Sequence, residues 1–186
     1  MAWTTVTAPA PVGQLTIGVT EVGVAYVSFG AAPAGLSAAA RRIGASLVAD
    51  SAWTGPAARQ LAEYLQGQRR SFELPVDWRL TSGVQRAVLT TLHDTIGYGG
   101  TITYGDLAAR SGAFGAEAEH HGARGVGSIM GSNPVPVIVP CHRVLATDGL
   151  GGFGGGLEVK RWLLALEGVT TPSLDFETWC QCGRRG

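Results

Sequence analysis

Hydrophobic positions change their period near residue 80 of this 186-residue chain. Before that point, residues 15–19 and 24–29 are dense in Leu, Ile, Val, Tyr and Phe, with Glu21-Val22-Gly23 between them. The pattern predicts two strands joined by a short turn. The Ala-, Gly- and Pro-rich stretch 30–40 predicts a loop. Leu61, Tyr64 and Leu65 recur at helical spacing and predict a helix over 57–66. Residues 72–78 alternate apolar and polar, and Pro75 confines the implied strand to a sheet edge because it has no N–H to donate.

From Ser82 onward the period is that of helices. Ser82-Gly83-Val84-Gln85 fits a capping box, and Val84, Val88, Leu89, Leu92 and Ile96 fall on one face of a helix that stops at Gly97. Tyr98-Gly99-Gly100 predicts a turn, and Thr103 predicts the cap of a short helix over 104–110 with Asp106 in its first turn. A further helix is expected over 117–130, although Gly122, Gly125 and Gly127 each cost roughly 1 kcal/mol against alanine there. Those glycines suggest something that must come close to the backbone. Residues 135–139 form an apolar, strand-like run. A last helix over 158–167 turns Val159, Trp162, Leu163 and Leu166 inward and ends at Gly168. The domains expected are an α/β unit over 1–80, a mostly helical unit over 81–168 and a tail over 169–186.

Composition narrows the class. Hydrophobic residues make up 45% and charged residues 15%, with zero net charge, which is a folded protein and not a disordered one. The first residues lack the basic and apolar regions of a signal peptide, and no run is long enough to span a bilayer. Three cysteines, Cys141, Cys180 and Cys182, make no disulfide framework, so a reducing cytoplasm and a free thiol at Cys141 are expected. Between residues 82 and 168, six basic residues face seven acidic ones. Nucleic-acid binding there has to depend on where charges sit, since the usual basic footprint is missing.

Pro140-Cys141-His142-Arg143-Val144 places a thiol beside an imidazole directly after the apolar run. A cysteine attacks as its thiolate, so a base at hand is what such a nucleophile needs. Downstream, residues 149–156 read Gly-Leu-Gly-Gly-Phe-Gly-Gly-Gly. No Gly-Lys-Ser/Thr follows to make a phosphate cradle, which leaves a loop that lines a pocket closely. The helix pair over 104–130 is a weak helix-turn-helix pattern by itself.

In this order, the helix pair, the Asn133-Pro134 turn, Pro-Cys-His-Arg-Val, the glycine loop and a Leu-rich helix ending in Glu167 resemble the O6-alkylguanine-DNA alkyltransferases, also called methylated-DNA–protein-cysteine methyltransferases. The likeness is strongest over 84–168 and weaker over Gln60 to Leu65 and Phe72-Glu-Leu-Pro. It implies a ribonuclease-H-like first domain and a winged-helix-like second domain with a helix-turn-helix. It further implies single-turnover repair, in which an alkyl group passes irreversibly from guanine O6, or from O4 of alkylthymine, in double-stranded DNA to Cys141. In that pattern His142 activates the thiol through a water, Glu167 orients His142, and Tyr104 gives the leaving guanine its proton. Arg124 fills the gap left by the flipped nucleotide, with Ala123 and Gly125 beside it on the DNA. Asn133 fixes the turn, and Pro136, Val144, Phe153 and Gly154 belong to the pocket. The resemblance implies a monomer without cofactor, metal or membrane.

Departures from the pattern are specific. About six extra residues lie between Ser111 and Ala123, including His120-His121; Gly97 stands where proline is usual, and Phe153 where tyrosine is common. His120-His121 with Cys180 and Cys182 does not match a common zinc spacing. Arg143 is expected to be structural or to face a phosphate. Two other functions fit parts of the chain: a non-catalytic lesion binder, disfavoured by the presence of Cys141, and a cysteine hydrolase using Cys141 and His142.

Overall fold

The computed structural model describes residues 1–31, 33–115 and 122–169, so His120, His121 and the Trp179 to Cys182 tail lie outside it. The first half builds a four-stranded sheet in the order β3-β2-β1-β4. Strands β1 (Ala2–Thr7), β2 (Gln14–Val19) and β3 (Val24–Phe29) pair antiparallel, whereas β4 (Val48–Ala49) lies parallel to β1. Leu15, Ile17, Val24 and Val27 point into the core, and two helices cover the sheet: α1 (Pro33–Arg42) and α2 (Ser51–Leu65).

Three expectations change here. Residues 33–42 are helical and not a loop, because Pro33 at the first helical position loses no bond and the alanines favour the helix. Helix α2 starts six residues before the predicted helix, where Asp50 accepts from the N–H groups of Ala52 and Trp53 at 2.9 and 3.3 Å. Residues 72–78 form no strand. Val24 donates to the Pro75 carbonyl at 2.8 Å and Asp77 donates to Val24 at 2.9 Å, which makes one isolated bridge beside the sheet.

The second half comprises α3 (Gly83–Thr95), α4 (Tyr104–Ser111), α5 (Ala123–Gly131) and α6 (Leu157–Leu166), with a two-residue parallel ladder between β5 (Ile102–Thr103) and β6 (Val144–Leu145). This is the mixed organisation the residues pointed to, a sheet unit followed by a helical one. The capping box at Ser82 does not form: Ser82 makes no side-chain cap, and Gln85 instead donates to the carbonyl and Oγ of Ser132 at 3.2 and 3.0 Å. Val84 is correspondingly exposed, while Val88, Leu89 and Leu92 are buried. Thr103 does cap α4, accepting from the Asp106 N–H at 3.1 Å. The run 135–139 is a compact turn with an isolated bridge between Pro136 and Val139, not a strand.

No helix among the described residues is long and apolar enough to cross a membrane. Both halves contribute to one continuous core that holds Leu61 and Leu65 of α2 together with Leu89, Leu107 and Leu163. Leu61→Ala should therefore lower the unfolding free energy by about 2–5 kcal/mol, read as a drop in urea midpoint at unchanged slope.

Candidate active site

Cys141 sits where local geometry leaves little freedom. Asn133 Oδ1 accepts from the Val135 N–H at 3.0 Å, and its Nδ2 donates to the Val139 carbonyl at 2.9 Å. Val139 N–H closes back on Val135 at 2.9 Å. This tie holds Val137 at φ +75°, a left-handed conformation that costs a β-branched residue on the order of 1–3 kcal/mol. Pro140 then makes an inverse γ-turn, with the Cys141 N–H on the Val139 carbonyl at 2.8 Å, and Cys141–Arg143 form one 3-10 turn. The β5–β6 ladder follows at once, pairing Ile102 with Val144 and Thr103 with Leu145. Two short strands thus set Tyr104, the residue after Thr103, beside the Cys141 segment.

Behind the thiol lies a buried charge cluster. Glu167, at the C-terminal end of α6, accepts from His142 Nε2 at 2.8 Å, from Arg143 Nε at 3.0 Å and Nη2 at 2.9 Å, and from the Gly99 N–H at 3.0 Å. The Tyr64 hydroxyl, from α2, donates to the same carboxylate and lies 3.4 Å from His142 Nε2. Burial opposes the charge on Glu167, yet its bonds to His142 and Arg143 prevail and hold it down at about 2. Arg143 also donates to the Ile96 carbonyl at 2.6 Å, so it is structural and does not face a phosphate. With Nε2–H given to the carboxylate, His142 Nδ1 is the acceptor nitrogen. That atom is buried and has no hydrogen-bond partner among the described residues.

Burial sets the resting protonation of the pair. It pushes the Cys141 thiol up to about 11, against the opposing pull of Asn133, the Lys160 charge and nearby backbone N–H groups. It also draws His142 below its usual 6.5, although Glu167 works the other way. At neutral pH Cys141 rests as a thiol beside a neutral imidazole, and an already ionised sulfur is not the ground state.

A cavity of about 410 Å³ opens in front, lined by Tyr104, Ala123, Gly127, Met130, Gly131, Gly152, Phe153 and Gly154. That size suits a small ligand. Cys141 is 3% exposed and does not line it. Tyr104, half-buried, donates to the Gly152 carbonyl at 3.3 Å, and burial raises its hydroxyl against the opposing pull of that bond. Phe153 stands edge-on to Phe29 at 5.5 Å and to His142 at 6.4 Å. Pro136 and Val144 are buried away from the cavity, and the Val144 carbonyl accepts from Lys160. Arg124 and Ala123 are exposed at the start of α5. Gly125 has an internal reason to be glycine: a Cβ there would lie 2.5 Å from the Phe114 ring. Among the described residues, no group of three or more His, Cys, Asp or Glu side chains is gathered as a metal site would need.

Two residues escaped the sequence reading. Tyr64 looked like core because its spacing matches Leu61 and Leu65. Lys160 entered only the count of basic residues, yet it is fully buried, with Nζ 2.7 Å from the Val144 carbonyl, 2.5 Å from that of Leu150 and 3.1 Å from that of Gly152. Burial lowers it to about 8, partly countered by Cys141. The available signal was a lysine three and four residues before Leu163 and Leu164, on the apolar side of its helix.

Residues 83–169 match the family described as "6-O-methylguanine DNA methyltransferase, DNA binding domain", and residues 3–78 its "ribonuclease-like domain". A methylated-DNA–protein-cysteine methyltransferase of Methanosarcina acetivorans is 33% identical over 86% of this chain and 94% of its own length. That of Mycolicibacterium paratuberculosis is 44% identical over 63% of this chain and 67% of its own length. The crystal structure of Mycobacterium tuberculosis OGT in complex with DNA superposes with a TM-score of 0.71 at 33% identity, covering 90% of this chain and 92% of that one. Sheet unit, helical unit and a buried Cys-His-Glu cluster define a DNA alkyltransferase class. The chain belongs to the methylated-DNA–protein-cysteine methyltransferase family.

Lys160 bridges β6 to the glycine loop, so Lys160→Met should raise amide hydrogen exchange across Gly151 to Phe153 by roughly tenfold or more while leaving β1 to β3 protected. Mass-resolved exchange of the two proteins checks it.

Proposed function

We propose that this protein repairs DNA by moving an alkyl group, methyl above all, from guanine O6 to Cys141, once per molecule. The observation that carries the reading is the buried pairing of Cys141 with a histidine whose Nε2–H is fixed on Glu167, leaving Nδ1 to accept a proton. The activity for which its relatives are named supports it from outside the chain.

The steps follow from the residues. A flipped-out alkylguanine enters the cavity in front of Tyr104 and Phe153, because O6 is stacked and paired inside the duplex. Cys141 is buried and stands off the cavity lining, so the wall between them has to give way for the base to meet the sulfur. As that happens the Cys141 proton passes across one water to His142 Nδ1, and Glu167 stabilises the imidazolium. The thiolate attacks the alkyl carbon; a C–S bond forms while the C–O6 bond breaks, and its electron pair stays on guanine. Tyr104, kept protonated by burial, gives the leaving base a proton, and the imidazolium proton passes through solvent to restore the Tyr104 hydroxyl. A thioether has no route back, so the protein is spent. Arg124, exposed at the start of α5, takes the place of the flipped nucleotide, with Ala123 and Gly125 along the backbone. Asn133 holds the turn, while Val144 and Pro136 support the pocket from behind and Gly154 edges it. No cofactor takes part. The protein acts as a single chain on double-stranded DNA in a reducing cytoplasm, with its domains meeting near residue 81.

Incubation with an oligonucleotide bearing O6-methylguanine should add one methyl group, mapped to Cys141 by peptide mass. No gain, or many turnovers on an ester or peptide, would sink the reading. Cys141→Ala should lose transfer while still binding the lesion duplex. The single-turnover rate should stay level from pH 8 to 6.5 and fall below, since His142 titrates lower than its usual 6.5.

A further inference from the structure

The cluster behind Cys141 contains a donor from the other half of the chain. Tyr64 lies on α2, in the part that matches the ribonuclease-like domain, and is 0% exposed. Its ring packs against Phe72 at 5.0 Å and edge-on to Tyr98 at 6.1 Å, and this packing aims the hydroxyl at the cluster. It meets Glu167 Oε1, the oxygen that His142 Nε2 and Arg143 Nη2 also hold.

We propose that Tyr64 is a positioning residue for the transfer reaction: its hydroxyl shares Glu167 Oε1 with His142, and so keeps the imidazole proton on Nε2 and Nδ1 open toward the thiol. This rests on the function proposed above. A carboxylate oxygen has two lone pairs, and each donor it accepts weakens what it offers the next. Tyr64 therefore limits how strongly Glu167 can stabilise an imidazolium at rest. An imidazole that is already protonated cannot take the Cys141 proton. The other charged or titratable groups facing His142 are Cys141 and Arg143 on its own turn and Lys160 and Glu167 of α6. Arg143 and Lys160 disfavour a second positive charge, and Tyr64 is the neutral partner from α2. Burial and the adjacent carboxylate keep the Tyr64 hydroxyl protonated far above neutral pH, so it acts only as a donor.

The test is Tyr64→Phe, which keeps the ring and removes the hydroxyl. The His142 imidazole is titrated by NMR in the free protein, and the single-turnover methyl-transfer rate is followed from pH 5.5 to 8.5. In the variant the imidazole midpoint and the acid limb of the rate should both move to higher pH. The rate at about pH 6.5 should then fall at least threefold and recover by about pH 8.5, at unchanged affinity for the lesion duplex. If the variant does not fold, 3,5-difluorotyrosine placed at position 64 keeps ring and hydroxyl and donates more strongly, and the limb should move to lower pH. An unmoved imidazole midpoint, or a rate loss that is equal at every pH, overturns the proposal. Absence of methyl transfer in the unaltered protein would overturn the proposed function instead, while the NMR titration still decides what Tyr64 does to His142.

Discussion

Glu167 keeps its charge where water cannot reach it, at the end of a helix whose dipole disfavours a carboxylate. Taking such a group out of water costs several kcal/mol unless donors replace the solvent. Here they come from three places, which meet at the end of α6: the turn after α3 through Gly99, the 3-10 turn through His142 and Arg143, and α2 through Tyr64. Because the charge is stable only when all of them converge, the packing of both halves and the aim of the imidazole are one condition. Arg143 illustrates this. Its fork on Glu167 and its bond to Ile96 use the guanidinium as an interior strut, which neutral or exposed residues could not supply.

The same burial that makes Glu167 demanding shapes the thiol. It raises Cys141 and lowers His142, so the pair is neutral at rest. For an acceptor that is used up on one event, that state has a consequence. Oxidation and stray alkylation follow thiolate character and exposure, and both are low here. In the proposed reaction, proton transfer to Nδ1 would produce the reactive form, with Glu167 already bonded to the same imidazole. The glycine loop over 149–156 is fastened by Lys160 through the carbonyls of Leu150 and Gly152.

How much of this was legible in the sequence depended on range. Helical spacing placed α3, α4 and α6 to within a few residues, and Thr103 announced its cap, because both depend on neighbours three or four residues away. The Pro-Cys-His-Arg-Val run and the distant Glu167 were legible through family likeness, not through periodicity. What depended on long-range partners was not legible. Strand β1 escaped because Trp3-Thr4-Thr5 alternates weakly, and it becomes a strand by pairing with β2 and β4. The run 135–139 looked like a strand, yet Asn133 folds it into a turn with two side-chain bonds. Tyr64 and Lys160 carried the right chemistry at positions where spacing spoke only of packing.

The glycines separate what the protein needs for itself from what it keeps for a ligand. A Cβ at Gly125 would strike Phe114, and one at Gly151 would lie 2.6 Å from the Tyr104 ring, so internal packing accounts for both. Gly127, Gly131, Gly152 and Gly154 differ, since a Cβ at any of them would meet nothing within 4 Å. All four line the cavity in front of Tyr104 and Phe153. Two of them lie in α5, where glycine costs roughly 1 kcal/mol against alanine and no fold contact returns it. The cost makes sense if the smooth wall serves an incoming body broader than a side chain. A nucleobase with its sugar and phosphate, entering between the start of α5 and the glycine loop, has that shape. The buried cluster behind Cys141 and the bare wall in front of it are then complementary halves of one site. The first fixes where the proton goes, and the second leaves room for the group that gives up its carbon.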